Sequence, residues 1–290
     1  MVTVRTLLVV SLVHNWDIQQ LDINNSFLHG DLHEEVYMKV PSGYKKTLPP
    51  NTVCKLKKSL YGLKQANKQW FIKLTIFLTA LGFSQIHANS SLFTYYKDKD
   101  ASVLLIYVDD ILLAGNNTSM ISEIKQKLHQ TFGIKDFGPL HYYLGIEFLR
   151  NSKGIAMTQR KYALDLIDYA GLQNEKPSKT PLDPRIKLIY TDGEPLADPS
   201  HYMTLVGKLI YLTISRPDIA FAAQLLSKFS QNPYISHLQA LTRVIRYLKF
   251  SPGQGLFFTK VNYPVLHAYC DRDWASCSSS RRSVSGFGIF

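Results

Sequence analysis

The run "TLLVVSLVHNW" from Thr6 to Trp16 is almost wholly apolar and reads as a buried helix. From Ile18 to Ile23 apolar and polar residues alternate, as they do along a half-buried strand, which here ends near Asp22. "PSGYKKTLPPN" (41–51) is a proline-rich loop. Leu60, Leu63, Trp70, Leu74, Phe77, Leu78 and Leu81 then recur at helical spacing with lysines opposite, and Gly82 stands where a C-terminal cap belongs. "SLFTYY" (91–96) and "SVLLIYV" (102–108) flank the turn-like "KDKDAS", so residues 91–108 predict a β-hairpin, and "DILLAGN" (110–116) leads the chain out of it. Asp109 and Asp110 fall at a tight turn between these apolar runs. A helix over 119–132, a strand over 140–150 and a helix over 158–170 stopped by Gly171 follow. Residues 174–200 lose apolar periodicity and form the best linker candidate. Three helical patterns (202–214, 217–230, 236–250) precede the strand "PVLHAYC" (264–270), the polar turn "DRDWASCSSSRR" (271–282) and the strand "SVSGFGIF" (283–290). Two strands do not bury themselves, so this end reads as the start of a larger unit.

Composition adds a globular core and a polyanionic partner. The chain has 290 residues, 46% of them apolar, which suffices for one large domain or two ordinary ones. Lys and Arg (33) exceed Asp and Glu (22) by 33 − 22 = 11. That excess suits nucleic acid or an anionic membrane surface, and equally a solvated basic face. Its distribution narrows the choice. No carboxylate occurs between Glu35 and Asp98, whereas Lys39, Lys45, Lys46, Lys55, Lys57, Lys58, Lys64, Lys68, Lys73 and Lys97 do. Such a one-signed block fits a phosphate backbone, and Tyr44, Tyr61, Trp70 and Phe71 within it are candidates for stacking on bases or for a core. Cys54, Cys270 and Cys277 form no CxxC pair, and an odd count argues against a disulfide framework and for a reducing compartment; no structural zinc site follows from them. The apolar N-terminal run is about half of the ~20 residues a membrane span needs. No cleavage site follows it, so a buried helix is preferred to a signal peptide and no membrane partner is expected.

An Asp-Asp dipeptide in a turn is ordinary by itself, because aspartate solvates readily there. Asp109 and Asp110 differ in their apolar flanks and in a third carboxylate, Asp22, at the end of another strand. Three clustered carboxylates raise one another's pKa unless a cation neutralises them, and oxygen ligands of this kind suit Mg²⁺. Two such ions clamp the attacking and leaving oxygens of a phosphoryl transfer.

"QLDINNSFLHGDLHEEVYMKVPSGY" (20–44), "VCKLKKSLYGLKQANKQW" (53–70), "LLIYVDDILLAGN" (104–116), "GPLHYYLGIEF" (138–148), "SRPDIAFAAQLLSKFSQNP" (215–233) and "AYCDRDWASCSSSRRSVSG" (268–286) resemble, in order and spacing, consecutive blocks of a copia-type LTR retrotransposon Pol polyprotein. These are its reverse transcriptase and the opening of its ribonuclease H. The resemblance implies an α+β fold: a palm of antiparallel sheet with helices on one face, a mostly helical thumb- and connection-like region, and a truncated ribonuclease H-like β-hairpin. The boundaries it implies are 1–150 for a palm with incomplete fingers, 151–200 for a thumb-like helix and linker, 201–264 for the connection region and 265–290 for the ribonuclease H start. It implies that Asp22, Asp109 and Asp110 hold two Mg²⁺ (or Mn²⁺) ions, with the backbone carbonyl of Ile23 as a further oxygen. Phe27 would lie beneath the sugar and exclude a 2′-hydroxyl. Tyr61, Gly62 and Gln65 would face the incoming nucleotide, and Tyr107 the primer terminus. "LGIEF" (144–148) would grip the primer, and Lys57, Lys58, Lys64 and Lys68 would contact phosphates. Partners would be an RNA or DNA template with its primer and deoxynucleoside triphosphates, in an intracellular setting, a cytoplasmic particle or the nucleus.

Two positions depart from the family pattern: Asn67-Lys68 stands where Pro-Arg is usual, and Ser26 where alanine is usual. The resemblance also places most of the fingers before this chain. It leaves one ribonuclease H carboxylate, Asp271, with Asp273 as a substitute, too few for a two-metal site. Three functions stay open at this point: a reverse transcriptase, a catalytically silent remnant that still binds nucleic acid, and a metal-dependent phosphoesterase using the same aspartates.

Overall fold

The computed structural model describes residues 1–183, 185, 188–190, 193–275 and 281–289. Cys277 and part of the expected 271–282 turn lie outside the described residues, as do five positions of the 174–200 segment. Chain contacts divide the molecule into two units, His14–His141 and Met1–Val13 with Tyr142–Phe290. The chain opens with α1 (Val2–Val13), part of the latter unit.

The His14–His141 unit is built from β1 (Asp17–Ile23), β2 (Tyr37–Lys39), β3 (Val53–Lys55), α2 (Ala66–Ala80), β4 (Ser84–Ile86), β5 (Asn89–Lys97), β6 (Asp100–Tyr107), β7 (Asp110–Gly115), α3 (Thr118–Phe132) and β8 (Ile134–Pro139). Six strands form one antiparallel sheet in the order β4-β5-β6-β7-β1-β8. Register sorts its side chains. Leu21, Ile23, Phe93, Leu104, Ile106, Ile111 and Leu113 pack with Trp70, Leu74 and Leu78 of α2 and Ile121, Ile124, Leu128 and Phe132 of α3 into one core. Because successive strand residues alternate in direction, Asp22, Tyr107 and Asp110 belong to the opposite face.

Three features depart from the sequence pattern. The long helix begins at Ala66, not near Leu60, because Gly62 at φ 94° turns the chain before it. β4 and β8 were not evident in the sequence. β8 buries only Ile134, as the edge strand of the sheet, so it has no alternating apolar signal. The turn after β6 holds Val108 at φ 60°, which is uncommon for a β-branched residue.

The second unit holds β9 (Tyr142–Tyr143), β10 (Ile146–Asn151), β11 (Gly154–Thr158), α4 (Arg160–Tyr169), α5 (Ser200–Leu212), α6 (Ala220–Ser227), α7 (Ile235–Phe250), β12 (Leu256–Thr259), β13 (Ala268–Asp273) and β14 (Val284–Ile289). The expected single strand over 140–150 is two, β9 and β10, broken by Leu144 and Gly145, both at positive φ. β11 and β12 extend these into an antiparallel sheet ordered β12-β11-β10-β9 that α1 contacts. Helices α4 to α7 share a core that includes Leu166, Tyr202, Leu209, Leu226, Leu241 and Leu248. β13 and β14 pair only with each other among the described residues, and every residue of β13 is exposed. The described residues thus contain a mixed fold of antiparallel sheets and seven α-helices. No helix among them is long and apolar enough to cross a membrane.

Candidate active site

Asp22 lies one residue from the end of β1, directly opposite Asp110, the first residue of β7. Asp110 is in turn opposite Tyr107, the last residue of β6, so Val108 and Asp109 form a two-residue connection. Two hydrogen bonds from outside the hairpin fix that connection. The Ile23 amide donates to the Asp109 carbonyl at 2.9 Å, and the Trp70 indole Nε1–H donates to the Val108 carbonyl at 2.8 Å. Trp70 is itself fully buried against Phe132, which ties α2 and α3 to the turn. These bonds hold Val108 in its strained conformation.

The carboxylates influence one another. Burial, reinforced by Asp109 and Asp22, raises the Asp110 carboxyl to about 6. Burial also raises Asp22, with Asp109 adding to the shift and Lys135 opposing it. Lys135 is the β8 partner directly across from Asp22. Sequence reading missed it, because β8 was not foreseen; the signal available was a lysine flanked by Ile134 and Asp136. All the donors are carboxylate or carbonyl oxygens, which suits a hard divalent cation in chemistry and charge. As the side chains stand, no group of three or more His, Cys, Asp or Glu among the described residues is gathered to hold a metal ion. Backbone register sets Asp22 opposite Asp110, with Asp109 next to it in the connection.

The other candidates divide into those brought together and those apart. Phe27, in a 3-10 turn over Ser26–His29, packs its ring on Tyr61 with centroids 4.7 Å apart. Next to Tyr61, a Cβ built on Gly62 meets nothing within 4 Å, so the backbone there is open to close approach. Tyr107 is exposed. Gln65 donates from Nε2 to Glu34 at 2.6 Å. Lys57, Lys58, Lys64 and Lys68 are all exposed, with Lys58 ion-paired to Asp31. Asp271 lies in β13 of the other unit, where its carboxylate accepts the Arg272 amide at 2.8 Å. Ser26 is fully buried, and its hydroxyl has no hydrogen-bond partner among the described residues.

The sequence profile described as "Reverse transcriptase (RNA-dependent DNA polymerase)" matches residues 1–184, well over half of the chain. The chain belongs to the reverse transcriptase family. Its relatives place it among the copia-type Pol polyproteins of transposons. It is 42% identical over 288 residues to the retrovirus-related Pol polyprotein from transposon RE1 of Arabidopsis thaliana, covering 99% of this chain and 20% of that protein. It is 40% identical over 288 residues to the corresponding protein of transposon RE2 from the same plant, with the same coverage. To that of transposon TNT 1-94 of Nicotiana tabacum it is 34% identical over 299 residues, 99% of this chain and 22% of that protein. The chain therefore spans about a fifth of the length of these relatives.

Proposed function

We propose that the chain carries the polymerizing site of a copia-type reverse transcriptase, which extends a primer 3′-hydroxyl with deoxynucleotides on an RNA or DNA template. The observation that carries this reading is the register that sets Asp22 opposite Asp110, with Asp109 in the connection between β6 and β7. In this reading the His14–His141 unit is the palm, α4 to α7 serve as thumb- and connection-like helices, and β13 with β14 is the start of a ribonuclease H, with Asp271 its first carboxylate.

Asp22, Asp109 and Asp110, with the Ile23 carbonyl, would hold Mg²⁺ or Mn²⁺. A pair of such ions supplies Lewis acidity to the attacking hydroxyl and to the departing pyrophosphate. The remaining work falls to the chain. Lys135 opposes the rise in the Asp22 pKa and so favours its ionised form. The Phe27–Tyr61 ring pair forms a rigid apolar floor beneath the sugar, where a 2′-hydroxyl meets the Phe27 ring instead of water. Gly62 lets the backbone approach the nascent base pair. Tyr107 offers an exposed ring to the primer end, and Lys57, Lys64 and Lys68 offer exposed ammonium groups to phosphates.

Primer extension on an RNA template with Mg²⁺ and deoxynucleotides tests the proposal. Extension that disappears in Asp109→Asn supports it. Binding without extension in the parent chain would leave a nucleic-acid-binding remnant. Nicking without added nucleotides would point to a phosphoesterase.

A further inference from the structure

The lysine block is preceded by three carboxylates, Asp31, Glu34 and Glu35, and the chain folds them back onto it. Asp31 accepts from Lys58 and, at 2.7 Å, from Lys73. Glu35 accepts from Lys55 and from the Tyr37 hydroxyl, the latter at 2.7 Å. Glu34 accepts from Gln65. Lys58 lies in the segment before α2 and Lys73 within α2, so their convergence on one carboxylate is a tertiary arrangement, not a local one.

Backbone contacts hold the acidic segment in place. Asp31 and Lys58 form a β-bridge, and the Ser59 amide donates to the Gly30 carbonyl at 3.0 Å. A Cβ on Gly30 would lie 3.1 Å from both the Gln69 Cβ and the Trp70 amide nitrogen, so the segment runs tightly against α2 and a side chain here would press on it. The charges, by contrast, remain within reach of solvent: the Lys58, Lys73 and Lys55 side chains are 52%, 42% and 54% exposed. Exposed pairs of this kind are weak because solvent screens them, so a phosphodiester can readily exchange with the carboxylate. The two Lys partners hold the Asp31 carboxyl down to about 2, so it stays ionised throughout the physiological range.

We propose that Asp31 and Glu35 stand in for backbone phosphates in the free chain, occupying Lys58, Lys73 and Lys55 until a template-primer duplex displaces them. This rests on the nucleic-acid reading above and adds a control on it: the acidic segment weakens binding and lowers its salt sensitivity, since a lysine already paired in the free chain brings little counterion release.

The test is fluorescence anisotropy of a labelled RNA–DNA template-primer duplex with the full chain, over a range of salt, for the parent chain, Asp31→Asn, Asp31→Glu, Glu35→Gln and Asp98→Asn. Each freed lysine adds about 0.7–0.9 to the log–log salt slope. Asp31→Asn is expected to bind about two- to fivefold tighter near ~0.1 M salt, with a slope steeper by about 1–2. Glu35→Gln steepens it by up to about 1 and keeps the question answerable if Asp31→Asn fails to fold. Asp31→Glu restores the parent slope, and Asp98→Asn, the same change in net charge at the β5–β6 turn, leaves it unaltered. An unchanged slope, or weaker binding, in Asp31→Asn and Glu35→Gln overturns the proposal while parent binding stands. A parent chain with no salt-dependent binding removes the reading beneath it as well.

Discussion

Ser26 and Asp110 show how single side chains record the demands on this site. The Ser26 hydroxyl is buried with no partner among the described residues. Burying an unsatisfied hydroxyl costs about 1–3 kcal/mol. Ser26→Ala is therefore expected to raise unfolding stability by about 1 kcal/mol in urea titration, and a loss of stability would contradict that account. Asp110 carries a pH dependence of definite sign. Its folded carboxyl is raised from 3.8 to about 6, so the native state holds the proton more tightly than the unfolded chain. The stability this contributes is fully present below about pH 4 and is lost as pH rises through about 6. Without divalent ions, Asp110→Asn should flatten that decline and exceed the parent chain at pH 7 by about 1–2 kcal/mol, allowing for solvent screening. Parallel stability–pH curves for the two proteins would refute it.

Among the elements, the α5–α6 connection explains a block that resemblance identified but chemistry did not use. Arg216, from "SRPDI", has a side chain only 1% exposed, donating to Asp218 through Nε and Nη2 and to the Ser251 carbonyl through Nη1. The Tyr247 hydroxyl donates to the same Asp218 carboxylate, and the Arg216 guanidinium lies 5.5 Å from the Tyr247 ring centroid. The network joins the start of α6 to the middle and end of α7. Arg216→Ala leaves Asp218 without its charge partner and should cost about 3–5 kcal/mol, read as a shift in the urea midpoint, with no effect expected if the block were purely catalytic. Helices with strong apolar stripes were legible in the sequence: α3 lies at Thr118–Phe132 where 119–132 was expected, and α7 at Ile235–Phe250 where 236–250 was. β8, β11 and β12 were not legible. β8 is an edge strand with a single buried residue, and β12 (LFFT) alternates in burial but not in apolar and polar residue type, so neither shows the sequence pattern that reveals a strand.

For the molecule as a whole, the net charge of +11 and the lysine block suit a polyanionic partner, while the order of the six sequence blocks pointed to the family. The resemblance implied that Asp22 and Asp110 meet, but no local pattern along the chain shows how. That depends on β1 inserting between β7 and β8, a long-range pairing with no local signature. Lys135 was invisible for the same reason, since only the β1–β8 register sets it opposite Asp22. The two units also differ in what they bring: the His14–His141 unit holds Asp22, Asp109, Asp110, Phe27, Tyr61 and Tyr107, and the other holds the 144–148 segment and Asp271. Asp22 is proposed to share divalent ions with Asp109 and Asp110, distant from it in sequence. Isothermal titration of Mg²⁺ or Mn²⁺ into the parent chain, Asp22→Ala and Asp109→Ala tests it most directly. Binding in the parent that is lost in both variants is the predicted result; equal affinity in all three would contradict it.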